Sequence, residues 1–262
     1  MDRLKNRISI VTGASSGIGQ AAARLFANEG ATVIALARRQ SRLDELHEEN
    51  DRIKGFACDV QDHAALEKCV EQTIEKHGRI DVLVNNAGFS YYKRLLDSSL
   101  EEWRHTMAVN VESMFVLTKL VAAQMKEKMY GRIVNVSSIQ SFYCENWTGP
   151  YAASKGAINS WSRTLAVDLS EYNILVNIVS PGCTQTEMSV IGGVDETTTP
   201  EFQELFVKNR RIPLARAGKS EEMAYAILMV ASEENTYITG HDLVVDGGLS
   251  LTLGFCPTSI DP

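Results

Sequence analysis

The sequence predicts a doubly wound α/β fold, with one parallel sheet of seven strands and helices on both faces. Short, nearly continuous apolar runs alternate with longer amphipathic stretches along the chain. A glycine-rich turn joins the first run to the first helix, and no linker or internal repeat divides the 262 residues. Strands covered on both faces read as unbroken Val, Ile and Leu, and alternating β and α elements join by right-handed crossovers. The expectation is a Rossmann-type single domain spanning 1–262.

The strands are expected at 8–11, 32–36, 55–58, 80–84, 132–137, 174–179 and 243–245, the third being the weakest. A first helix covers 18–29 and is closed by Gly30. A charged helix runs through Leu43 and Leu46. Asp62 reads as the N-cap of a helix ending at His77 and Gly78. One long helix is expected over 100–129, stopped by Gly131, and others over 151–170 and 221–232. The stretch 184–216 lacks clear regular structure, and long loops of that kind in compact domains often act as lids. It is expected to close over a substrate.

Composition excludes some functions. Apolar residues at 44% and charged residues at 23% suit a globular chain able to bury a large core. The net charge is −7 and no basic run occurs, which disfavours nucleic acid or an anionic membrane as partner. No run of 18 apolar residues and no signal-peptide stretch is present, so a cytoplasmic protein is expected. Five scattered cysteines read as reduced thiols, with Cys144 seven residues before Tyr151. The five histidines have no metal-ligand spacing, so no metal site is expected.

The turn after the first strand reads Thr12-Gly13-Ala14-Ser15-Ser16-Gly17-Ile18-Gly19. Glycines permit a tight turn and a close backbone approach to a pyrophosphate. The helix that follows presents free N–H groups and a partial positive charge. A strand-turn-helix setting at the first βα turn strengthens an otherwise weak glycine signal. Folds of this kind that bind NAD place an acid at the end of the second strand, against the ribose hydroxyl. Here that end reads Leu36-Ala37-Arg38-Arg39, with no carboxylate. Guanidinium forks suit a 2′-phosphate, so NADP(H) is expected over NAD(H). The competing reading makes Arg38 and Arg39 a solvated start to the next helix.

Tyr151 and Lys155 stand four apart on a helix and face the same way. A free tyrosine, with a pKa near 10, is a poor acid–base group at neutral pH. An ammonium about 4 Å away at an effective dielectric near 20 is worth about 4 kcal/mol, or roughly three pKa units, with desolvation opposing it. The phenol is therefore expected to be drawn toward neutrality. Ser137 and Ser138 end the fifth strand, and adjacent strand residues point to opposite faces, so only one can face a substrate.

These residues jointly resemble the short-chain dehydrogenase/reductase family, in its single-domain, 3-oxoacyl-carrier-protein reductase-like branch. The resemblance rests on Gly13, Gly17 and Gly19 in G-x-x-x-G-x-G spacing, on Asn85-Asn86-Ala87-Gly88, Asn110 and Ser138, and on Tyr151 with Lys155. It extends through Pro181-Gly182 to Tyr237-Ile238-Thr239-Gly240 and Asp246-Gly247-Gly248. It implies hydride transfer between a nicotinamide and a carbonyl or secondary alcohol carbon of a small molecule. Tyr151 would be the general acid/base, Ser138 (selected over Ser137 by the family's Ser-to-Tyr spacing) would polarise the substrate oxygen, and Lys155 would hold the nicotinamide ribose. Asn110 would hold a water leading from Lys155 to solvent. Asp59 and Val60 would meet the adenine, and Asn86, Ala87, Gly88, Pro181, Gly182, Thr184 and Thr186 would line the cofactor, although Thr184 replaces the family's usual aliphatic residue. Gln140 and Trp147 are expected among the substrate contacts, with Phe142, Cys144, Tyr91 and Tyr92 near them. The resemblance also implies a homotetramer, with 251–262 at a subunit contact. Other readings are an NAD(H)-dependent dehydrogenase of the same family, a non-catalytic nucleotide-binding regulator on the same fold, and an isomerase or dehydratase that retains its cofactor.

Overall fold

In the computed structural model, residues 2–252 are described, and the proposed subunit contact after Thr252 lies outside them. Six apolar runs form β1 (Ile8–Thr12), β2 (Thr32–Ala37), β3 (Ile53–Ala57), β4 (Val82–Asn85), β5 (Gly131–Val136) and β6 (Ile174–Pro181). Short strands β7 (Thr184–Gln185), β8 (Val190–Ile191), β9 (Val194–Asp195) and β10 (Gly218–Lys219) precede β11 (Asp242–Val245). One seven-stranded sheet has the order β11-β6-β5-β4-β1-β2-β3, parallel throughout. The order reverses between β1 and β4, where Val11 lies opposite Val84. Ligands in open α/β sheets bind at such a switch point, beyond the carboxyl ends of the strands. The sequence motifs sit at those ends.

Strand alternation sorts the core into two layers. Val11, Val33, Ala35, Val82, Val84 and Val134 face one side, against α1 (Gly17–Asn28) and α8 (Ser220–Ala231). Ile10, Ile34, Leu36, Leu83 and Ile133 face the other. There they meet Leu66, Cys69 and Val70 of α3 (His63–His77) and Leu117, Val121 and Met125 of α5 (Ser113–Lys128). Small residues such as Ala22, Ala23, Ala27, Ala224 and Ala231 line the first layer and let its helices lie close. The charged helix α2 (Gln40–Glu49) buries only Leu43 and Leu46. Asp62 caps α3 by accepting from the Ala65 N–H at 3.0 Å, and Gly78 closes it at φ 72°.

The structure corrects several sequence expectations. Strand β3 begins at Ile53, two residues earlier than expected, because Ile53 is buried in the core while Cys58 already lies past the strand. The stretch 100–129 is not one regular helix: α4 (Leu100–Met107) and α5 are joined by a π turn over Ala108–Glu112. Such turns insert extra backbone into a helix and often mark functional sites. The left-handed residue ending α5 is Met129, at φ 50°, rather than Gly131. Gly131 enters β5 instead, since a Cβ there would collide with Met125. Finally, the 184–216 excursion is folded. Strands β7 and β10 pair at its stem, β8 and β9 form a hairpin, and α7 (Pro200–Phe202) runs into a π turn over Gln203–Lys208. Phe202 and Ile212 pack with Leu249 and with Ile139, the residue after Ser138.

The run Leu100–Lys128 matches a membrane-crossing helix in length and apolarity alone; here Leu117, Val121 and Met125 pack in the second layer of the core.

A polar chain crosses the buried sheet beneath α5 and α6 (Gly149–Asp168). Asn85 Nδ2 donates to Thr118 Oγ1 and to Asn135 Oδ1, both at 2.9 Å, and Asn135 Nδ2 donates to Ser162 Oγ at 2.8 Å. Asn85 and Asn135 are register partners in β4 and β5. Buried amides left unpaired cost more than paired ones contribute. Asn135→Ala is therefore expected to lower unfolding free energy by about 2–4 kcal/mol in a urea titration; a loss below that of an ordinary surface change would show that the chain is not structural.

Candidate active site

The site is assembled from turns at the carboxyl edge of β1, β4, β5 and β6. Thr12 ends β1, and its hydroxyl accepts from the N–H groups of Asn86 and Ala87, each at 2.9 Å. Asn86 Nδ2 donates back to the Thr12 carbonyl at 3.0 Å. The turn after β4 is thus fixed against the turn after β1. Gly13 has φ 66°, and a Cβ there would lie 2.8 Å from Asn86 Nδ2. At Gly19 a Cβ would meet the same amide at 2.5 Å. Ser16 is the N-cap residue of α1, but its side chain caps nothing and no acid stands in the first turn. The head of α1 is therefore open to an anion. This glycine-lined cradle fits a dinucleotide pyrophosphate. Ile18 packs toward the core from the same turn. Asp59 and Val60 are half-buried beyond β3, and Asp59 accepts from the Gln61 N–H at 2.9 Å.

The two arginines at the end of β2 behave differently. Arg39 turns into the cradle, with Nε at 3.2 Å and Nη2 at 2.9 Å from Ser15 Oγ. Arg38 is exposed, and no hydrogen bond or ion pair joins it to another described residue. The other edge of Arg39 holds Glu187, a residue that sequence reading passed over. Its signal was available: an acid directly follows Thr186, a residue expected to lie against the cofactor.

Helix α6 presents Tyr151 and Lys155 to the ends of β4 and β5. The Lys155 Nζ lies 5.3 Å from the Tyr151 ring centroid and donates to the Val136 carbonyl at 2.9 Å. Ser137 turns its Oγ to the Lys155 carbonyl at 3.2 Å, so Ser138 faces the phenol. Ser138 Oγ also accepts from the Gln140 N–H at 3.1 Å. Asn110, from the π turn, is 2% exposed. It clasps Phe89 through both backbone groups, at 2.7 and 3.0 Å, and donates to Ser154 Oγ at 2.9 Å. A Cβ on Gly88 would lie 3.8 Å from both Asn110 Oδ1 and Lys155 Nζ. Bare backbone thus runs between the turn after β4 and the Tyr151–Lys155 cluster.

The expected depression of the tyrosine pKa is not found. Burial pushes the Tyr151 phenol up to about 12, with the Ser138 hydrogen bond pulling it down and the charge of Glu145 adding to the rise. Burial also lowers the Lys155 ammonium to about 8. Lys155 lies over the ring and donates to the Val136 carbonyl, and desolvation is the dominant influence on both groups.

On the substrate side, Gln140 is braced by Glu145 and by Thr148, whose Oγ1 donates to Gln140 Oε1 at 2.7 Å. Trp147 is half exposed at the rim with Arg94 over its ring at 5.7 Å. Burial raises the Glu145 carboxyl, with Tyr92 and Gln140 opposing the rise. Glu145 was missed in the sequence, although it stands only six residues before Tyr151. Pro181 is buried at the end of β6, and Gly182 follows with Asp246 where a Cβ would lie. Thr184 Oγ1 donates to the Gly182 carbonyl at 3.0 Å, while the Thr186 methyl would meet a Cβ on Gly17 at 3.1 Å. Cys144 is exposed. Among the described residues no three His, Cys, Asp or Glu side chains are grouped to hold a metal.

Comparison with known proteins agrees with this geometry. The sequence profile of the enoyl-(acyl carrier protein) reductase family matches residues 13–250. The 3-oxoacyl-[acyl-carrier-protein] reductase FabG of Thermotoga maritima is 39% identical over 251 residues, covering 94% of this chain and 99% of that protein. The NADP-dependent (R)-specific alcohol dehydrogenase of Lentilactobacillus kefiri is 35% identical over 253 residues, covering 94% of this chain and 98% of that protein. A crystal structure of gluconate 5-dehydrogenase from Burkholderia cenocepacia, in complex with NADP and tartrate, superposes with a TM-score of 0.87 at 29% identity. It covers 96% of this chain and 98% of the other. The relatives are oxidoreductases acting on alcohol or carbonyl groups. The protein is an oxidoreductase that belongs to the short-chain dehydrogenase/reductase family, in its 3-oxoacyl-carrier-protein reductase-like branch.

Proposed function

We propose that the protein is an NADP(H)-dependent oxidoreductase acting on a carbonyl or secondary alcohol carbon of a small molecule, with Tyr151 as general acid/base. The observation that carries this is the placement of Tyr151, Ser138 and Lys155 at the same sheet edge as the glycine cradle, joined to it through Gly88. Gly13–Gly19, Asn86, Ala87 and Gly88 would hold the dinucleotide, with Thr186 closing over Gly17 and Arg39 nearest the 2′-phosphate. The bound nicotinamide supplies or accepts the hydride. In reduction Tyr151 gives its phenolic proton to the substrate oxygen, and in oxidation it removes the hydroxyl proton. Ser138 holds that oxygen by a hydrogen bond. Lys155, a buried ammonium beside the ring, stabilises the phenolate while the proton is away. NADP(H) is supported over NAD(H) by the absence of an acid at the end of β2 and by the place of Arg39 at Ser15. Among relatives, the Lentilactobacillus enzyme and the Burkholderia complex carry NADP in their names. A cytoplasmic homotetramer with 184–216 as a lid completes the reading; exposed Leu100, Trp103, Phe115 and Val167 on α4, α5 and α6 are available for self-association.

Three measurements test this function. Tyr151→Phe is expected to lower turnover by about 10³-fold, with NADPH binding nearly unchanged by fluorescence titration; retained turnover would remove the acid–base assignment. Arg39→Gln is expected to weaken NADPH by about tenfold relative to NADH. An unchanged ratio would remove the 2′-phosphate contact. The third concerns Lys155 and stability. The unfolded chain keeps this proton to about pH 10.5, whereas the folded protein releases it near pH 8. Burial of the ammonium therefore destabilises the fold fully below pH 8, and stability returns as pH rises to 10.5. Lys155→Met should stabilise the protein by about 1–3 kcal/mol at pH 7, and by much less at pH 10, while abolishing turnover. Urea unfolding at both pH values decides it: equal gains would mean that Lys155 is not held as a buried charge.

A further inference from the structure

Glu187 occupies donors that the cradle offers to an anion. It opens the 3₁₀ turn Glu187–Ser189 inside the 184–216 excursion. Its carboxylate takes a bidentate pair from Arg39, Nη1 to Oε1 at 3.0 Å and Nη2 to Oε2 at 2.8 Å. Ser16 adds to the lowering of the same carboxyl that Arg39 produces. Ser16 heads α1, and Ser15 holds the other edge of the same guanidinium. A planar fork and a hydroxyl beside an open helix head are the groups a phosphate would use. The hydrogen bond from Arg39 keeps Glu187 below the usual carboxylate range, so it is ionised at neutral pH.

The magnitudes make this contact exchangeable. The side chains of Arg39 and Glu187 are 44% and 53% exposed, and pairs that open to water hold only weakly. A phosphate monoester carries more charge and offers more acceptor oxygens than a carboxylate. Both anions would need the same face of one guanidinium, and both would repel if they shared it.

We infer that Glu187 is a cofactor-selecting residue, whose carboxylate competes with the 2′-phosphate of NADP(H) for Arg39. The inference rests on the assignment of NADP(H) to the cradle. It adds that NADP(H) binding must displace a residue of the excursion, whereas NAD(H), lacking the 2′-phosphate, leaves Glu187 on Arg39. The discount on affinity therefore falls on the phosphorylated cofactor alone.

Fluorescence titration of the intact protein with NADPH and NADH, compared with Glu187→Gln, tests the competition. The substitution keeps size and removes charge. NADPH should bind about two- to fivefold more tightly to the variant, with NADH unchanged. Glu204→Gln, which breaks the exposed Lys208–Glu204 pair elsewhere in the excursion, should leave both cofactors unchanged. NADPH binding that is unchanged or weaker in Glu187→Gln overturns the competition, as does equal tightening of both cofactors. Equal tightening in Glu204→Gln would also overturn it, by showing that loosening the excursion suffices. The cofactor assignment is judged separately: it fails if the unsubstituted protein binds NADH more tightly than NADPH, whatever Glu187→Gln does to NADPH.

Discussion

The Thr12 hydroxyl sits where the strand order of the sheet reverses, and the site is built outward from it. The hydroxyl donates to the Val84 carbonyl at 3.4 Å and accepts from the N–H groups of Asn86 and Ala87. One donor and two acceptor positions are all that a hydroxyl has, so it is fully used. It binds the end of β1 to the turn after β4 and leaves no volume for a side chain at Gly13 or Gly19. The turn then delivers Gly88 beside Asn110 and Lys155. The anion cradle and the proton-handling cluster come from different strands, and this clasp keeps them in register.

Beyond the clasp, the site is set by how much water each charged group loses. Tyr151 and Lys155 lose most of it, and burial drives the phenol toward the neutral acid and the ammonium toward the neutral amine. The ammonium is thereby destabilised in the folded protein, whereas the phenol is neutral already; perturbed acids and bases of this kind are common where function needs them. The nearby Asn85–Asn135–Ser162 chain is buried too, but every amide in it has a partner, so it stiffens the floor of the site. At the rim the balance is reversed. Arg39 and Glu187 are half in water, so their pairing is weak and can be exchanged. The desolvated groups sit at the sheet edge, and a hydrated ion pair lies beside the glycine cradle.

Much of this was legible in the chain. The seven apolar runs, Asp62 as a cap, Gly78 as a stop and the glycine turn were read from local pattern, because each is decided by neighbours in sequence. The choice of Ser138 over Ser137 followed from strand alternation and family spacing, and Ser137 does turn away to the Lys155 carbonyl. The π turn at Asn110 was invisible. Its residues carry an ordinary helical pattern, and the extra backbone is stabilised by Phe89 and Ser154, which are distant in sequence. Met129 as the helix end was hidden for a similar reason, since the Asn173 side chain supports its carbonyl at 3.0 Å.

The sequence by itself determined the sheet, the positions of its motifs and the family, since these depend on periodicity and on residue type at fixed spacing. The tertiary structure decided the electrostatics. Whether Lys155 lowers the phenol pKa depends on where its ammonium points and how dry that place is. Which of two adjacent arginines reaches the cradle depends on which one meets Ser15, and Glu187 meets that arginine only because the excursion folds back onto α1. Charge interactions act through distance and solvent exposure, and both are properties of the folded molecule alone.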